Sequence, residues 1–227
     1  MGFLYVKYNL NLLINRNTTF MKKLLVVYIL ITSLQGFSQS LKVTYIANSI
    51  FAPNIEVPGW YAPRVYSYEY SSSKSITTMI SGPVPGPNIQ SPTEDIYYKD
   101  FTAGTYRWEI TMGGESYSVK DKINNFGWKI STETEIINGY KCTKANGMTG
   151  NTPLTAWFCN DFKVQDGPNR YYGLPGLILK ININSNTEIL ATKIETSNKT
   201  FSIEEPVAKS TLLNFKDMTQ LINEGVK

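Results

Sequence analysis

No histidine occurs anywhere in the 227 residues. That absence removes Ser-His and Cys-His catalysis, histidine-ligated zinc and imidazole pH switching together. Long apolar runs are also missing. The longest, from Leu24 to Leu34, falls short of the roughly 20 residues that span a bilayer comfortably. An excess of one charge is missing too, once the basic residues are located. The chain carries 22 Lys and Arg against 18 Asp and Glu, but Lys7, Arg16, Lys22 and Lys23 all precede residue 39, where no acid occurs. Taking those four from the 22 leaves 18 basic residues against 18 acidic ones. No basic field is left to attract nucleic acid or anionic lipid.

What is present begins with a leader. Met21, then Lys22 and Lys23, the apolar stretch and the small residues Gly36 and Ser38 follow the layout of a secretory signal peptide. Cleavage after Ser38 is expected, with residues 1–20 an upstream extension. Residues 39–227 are then one domain, placed in the periplasm or secreted, large enough for a real core.

That domain reads as strand after strand. "RVYSYEYS" puts Tyr66, Tyr68 and Tyr70 on one face, a candidate aromatic binding face or simply core lining. Glycines in "TAGT" and "MGGE", and the Asn138-Gly139 pair, supply hairpin turns. A proline-rich connection covers 81–92. The expected fold is mainly β: a curved antiparallel sheet, as half-barrel, barrel or sandwich. One C-terminal helix follows, capped by Asn214, with Phe215, Met218, Leu221 and Ile222 as its apolar stripe and Gly225 at its end.

Two cysteines remain, Cys142 and Cys159. If their strands pair about the polar loop "GMTGNTP", positions summing to 301 face each other, these two among them. Export then favours a disulfide worth about 3 kcal/mol; two buried free thiols are the rival.

The run Gly173-Leu174-Pro175-Gly176-Leu177-Ile178 poses the main question: ligand loop or structural corner. Pro175 and Gly176 suit the central positions of a type II turn, and no helix, Lys or Ser/Thr follows at the offsets a phosphate cradle needs. A buried corner is expected. With "YKDF", "WKI", "INGYKCTKA", "AWF" and Gly167-Pro168 in order before it, this run resembles the GLPGLI family of exported Bacteroidetes proteins. The resemblance implies export and supplies no activity, substrate or catalytic residues.

Other chemistry is thin. Ser71-Ser72-Ser73-Lys74 fits S-x-x-K without its companion motifs. Glu133 and Glu135, about 6.5–7 Å apart on one strand face, have the separation of an inverting glycosidase pair; alternating acids on a solvated face are the plainer reading. Asp161 and Asp166 bracket a loop without forming a calcium site. No metal or cofactor is expected. The leading expectation is non-catalytic binding of an apolar ligand or peptide in the envelope. An accessory partner of an outer-membrane complex and a carboxylate hydrolase are the alternatives.

Overall fold

The computed structural model describes residues 40–50, 62–83 and 92–223. The leader, the proline-rich run from 84 to 91 and Gly225 lie outside them. The strands are β1 (Ser40–Ser49), β2 (Arg64–Ser71), β3 (Lys74–Ser81), β4 (Pro92–Asp100), β5 (Thr105–Met112) and β6 (Glu115–Lys122). They continue as β7 (Lys129–Ile137), β8 (Tyr140–Thr149), β9 (Thr152–Cys159), β10 (Leu177–Ile183), β11 (Thr187–Ser197) and β12 (Leu212–Leu213), before one helix, α1 (Phe215–Asn223). All twelve strands join one curved sheet in the order β12-β6-β5-β4-β3-β2-β1-β11-β10-β9-β8-β7. Every pairing is antiparallel except the short β12 on β6.

Turn chemistry sets much of this register. Asn138 and Gly139 both take positive φ, 51° and 82°, between the paired Ile137 and Tyr140, the backbone of a two-residue hairpin whose twist matches its strands. Ser72 and Ser73, at 51° and 63°, do the same between Ser71 and Lys74. The S-x-x-K residues are therefore a hairpin tip, with Ser71 Oγ accepting from the Phe201 amide at 3.0 Å. At α1 the Asp217 amide donates to Asn214 Oδ1 at 2.9 Å and Asn214 Nδ2 donates to Asp217 Oδ2 at 2.8 Å. That reciprocal cap satisfies an orphan amide of the first turn. Met218 is fully buried against the cluster of Ile110 and Val119.

The two faces of β1–β6 follow from the pairing. Val43, Tyr45, Tyr66, Tyr68, Thr77, Tyr97, Lys99, Tyr106, Trp108 and Val119 share one face, here called the inner. On the outer face, Arg107 Nε donates to Glu109 Oε1 at 2.6 Å and Ser118 Oγ donates to Glu109 Oε2 at 2.6 Å. Arg107 also reaches Glu205 at 3.0 Å, and the Lys209 amide donates to Ser118 Oγ at 2.9 Å. These bonds clip the chain after β11 onto β5 and β6.

β8 and β9 pair with positions summing to 301. The strands run further than the polar loop suggested, to a two-residue turn at Gly150 and Asn151. One step beyond the last pair, Cys142 and Cys159 are not bonded; both are buried free thiols. Burial pushes the Cys142 thiol up to about 12 and raises Cys159 as well, so both stay protonated, whereas the thiolate is the form that enters disulfide exchange. The expected bridge is thus corrected.

The Gly173–Ile178 corner also differs in detail from the expected turn. The Gly176 amide donates to the Leu174 carbonyl at 2.8 Å, a three-residue turn centred on Pro175, and the glycine at positive φ is Gly173, at 92°. Gly176 is required for a different reason: a Cβ there would lie 2.2 Å from the Cys159 carbonyl oxygen. Leu174, Leu177 and Ile178 are fully buried. Gly176→Ala is expected to cost about 3 kcal/mol or more, because the obstacle is backbone and cannot swing aside; denaturant unfolding measures it, and a loss under 1 kcal/mol contradicts the contact.

Candidate functional site

The chain between β9 and β10 crosses the inner face and decides where the site lies. It is anchored by a wholly buried ion pair. Lys99, on β4, bonds Asp166 Oδ1 and donates to the Gly167 carbonyl at 2.8 Å. The remaining carboxylate capacity of Asp166 is filled by the Gly167 amide at 2.7 Å and the Tyr68 hydroxyl at 3.0 Å. Tyr45 donates to the Ile178 carbonyl at 2.8 Å and meets Tyr68 edge to face at 5.9 Å. Burial lowers the Lys99 ammonium and pushes the phenols of Tyr45 and Tyr68 well above their ordinary range. Every strong group here is matched within the protein, so this knot is an anchor.

Beside the anchor is a cavity of about 360 Å³, within the range of small-ligand sites. Its walls come from β2, β4, β5, the 169–171 crossing and α1: Arg64, Tyr66, Asp95, Tyr97, Trp108, Asn169, Arg170 and Phe215 are among them. Tyr97 and Trp108 face each other across the β4–β5 ladder and stack at 5.5 Å with their planes 8° apart. Trp108 Nε1 donates to Asp95 Oδ1 at 2.7 Å and the Tyr66 hydroxyl donates to Asp95 Oδ2 at 2.8 Å. Burial raises the Asp95 carboxyl above its usual range, those two hydrogen bonds opposing the shift. Arg170 lies over the Phe215 ring at 4.4 Å. Two buried polar atoms on cavity residues have no partner among the described residues: Arg64 Nε and Asn169 Oδ1. Buried groups of this kind are normally satisfied.

The aromatic row read from sequence is split by this geometry. Tyr66 lines the cavity, Tyr68 belongs to the anchor, and half-buried Tyr70 packs on Phe101 at 6.5 Å. Glu133 and Glu135 stand on the exposed side of β7 in ion pairs with Lys144 and Lys180, at 2.9 and 2.5 Å. Asp161 is exposed, and the described residues hold no cluster of three metal-binding side chains. Sequence reading missed Arg64, Asp95, Tyr97, Trp108, Asn169 and Arg170. The signal for the stacked pair was available: the turn after Asp100 makes positions summing to 205 face each other, and 97 with 108 is such a pair.

Comparison with known proteins names the class. A family described as the N-glycanase peptide, N-terminal domain (the N-terminal domain of PNGase F-II) matches residues 69–219, and the chain belongs to that family. Two solved structures of PNGF-II share the fold. One, in the C2 space group, superposes with a TM-score of 0.55 at 18% identity, covering 82% of this chain and 33% of its own. The other, in P21, gives 0.52 at 17% identity, covering 82% and 34%. The chain thus spans about a third of the length of those structures. No curated protein matches by sequence.

These findings overturn two expectations. The chain is assigned to the N-glycanase domain family and not to the GLPGLI family. Its expected role as a non-catalytic carrier of an apolar ligand, or an outer-membrane accessory, gives way with that assignment.

Proposed function

We propose that this domain serves N-glycan release by holding the carbohydrate of an N-glycosylated protein in the cavity between Trp108 and Arg170. The observation that carries the proposal is the pairing of an aromatic surface with polar side chains on one cavity wall. A stacked Tyr97–Trp108 pair shares that wall with Arg64, Asn169 and Arg170. A sugar ring has an apolar C–H face for the aromatic plane and hydroxyls that both donate and accept, so it meets the two demands at once. Family membership supports an N-glycan as the substrate class. Among the described residues the single carboxylate on the cavity wall, Asp95, already accepts from Tyr66 and Trp108; that arrangement favours orienting a hydroxyl over activating water. The signal-peptide layout read from Met21 to Ser38 supports a place outside the cytoplasm, where glycoprotein substrates are met. Among the described residues no helix is long and apolar enough to cross a membrane.

Calorimetric titration with one N-glycopeptide and the same peptide stripped of its glycan tests the reading. Saturable binding of the glycosylated form, with the bare peptide at least tenfold weaker, is expected. Equal binding of both forms, or none, would overturn it.

A further inference from the structure

The charge on the cavity wall is unbalanced. Arg64 and Arg170 both line it, and neither forms an ion pair with any described residue. Among the described residues the one acid lining the cavity with them is Asp95, whose two oxygens accept from Trp108 and Tyr66. Asp121 lies nearby on β6 without lining the cavity, its Oδ2 taken by the Phe215 amide at 3.2 Å and its Oδ1 by the Lys122 amide at 2.7 Å. Two guanidiniums against one carboxylate leave a net positive wall. Arg170 lies over the Phe215 ring at 4.4 Å, a cation–π contact that uses its charge without filling its N–H donors. Arg64 contributes a second guanidinium to the same wall.

We propose, building on the carbohydrate reading above, that the cavity selects an acidic saccharide: a sugar residue bearing a carboxylate, bound between Arg64 and Arg170 while its ring stacks beside Trp108. Planar carboxylate recognition by a guanidinium fork gives both strength and geometry, and a neutral sugar would leave the second positive charge without a counterion. A second cavity of about 380 Å³ adjoins the first and shares Tyr106, Arg170 and Phe215 with it. It provides room for the next sugar of the same branch, with Arg170 at the junction.

The experiment compares one sialylated N-glycopeptide before and after enzymatic removal of its sialic acids, leaving peptide and neutral sugars unchanged. The acidic form is expected to bind at least tenfold tighter at 50 mM salt, with the ratio shrinking at 500 mM. Arg170→Gln, checked for an unchanged melting temperature, is expected to bring the ratio close to one. If that variant does not fold, Arg64→Gln reports the same loss. Equal affinity of the wild-type chain for both glycoforms overturns the acidic preference while leaving glycan recognition standing. Failure to bind either glycoform overturns the carbohydrate reading itself.

Discussion

Lys99→Met is expected to lower stability by about 3–5 kcal/mol, the effect of leaving a carboxylate buried without its counterion. Lys99 and Asp166 are both fully buried, so no water can replace the missing ammonium. In a domain of this size each kcal/mol shifts the melting temperature by about 2–4 °C, so a fall of about 10 °C is expected. The double variant Lys99→Met/Asp166→Leu is expected to recover more than half of the loss, since it removes the charge along with its partner. The Tyr68 hydroxyl and the Gly167 amide, which also bond Asp166, keep the recovery incomplete. A single variant within 1 kcal/mol of wild type would show that the crossing chain is not anchored here.

The second large effect is alkaline unfolding. Burial holds the phenols of Tyr45, Tyr66 and Tyr68 above their ordinary value of 10. The unfolded chain therefore releases these protons first. Their contribution is fully present below pH 10 and is lost as pH rises above it. Each such tyrosine costs about 1.4 kcal/mol per pH unit in that window, so three together cost about 4. The thiols act in the same sense from about pH 9, burial pushing Cys142 up to about 12. Lys99, lowered by burial, has the opposite sign, since stability it loses while charged returns as it deprotonates; its effect ends at its unfolded value of 10.5. A denaturant midpoint falling steeply between pH 10 and 11.5 is expected, and a flat one would mean that these phenols ionise in place.

Much of the architecture was legible because it is written locally. Asn138-Gly139 fixes one hairpin, the 301 register another, and Asn214 with Asp217 the start of the helix. The site is not local. Arg64, Asp95, Trp108 and Arg170 meet only because the sheet order sets β2 to β5 side by side and the 160–176 crossing folds back over them. Lys99 and Asp166 are separated by 67 residues, and no periodicity links them. At the Gly173–Ile178 corner the turn residues were visible but the deciding contact, Gly176 against the Cys159 carbonyl, is tertiary. Likewise the two thiols could be set in register from sequence, while the burial that keeps them protonated could not.

The most direct trial of the carbohydrate site is a tryptophan-fluorescence titration of the whole chain with an N-linked oligosaccharide, set against Trp108→Ala. The account predicts a saturable change in emission for the wild type and affinity at least tenfold weaker for the variant, with the fold intact by circular dichroism. Saturable binding that survives the loss of Trp108 unchanged would place the sugar elsewhere and contradict it.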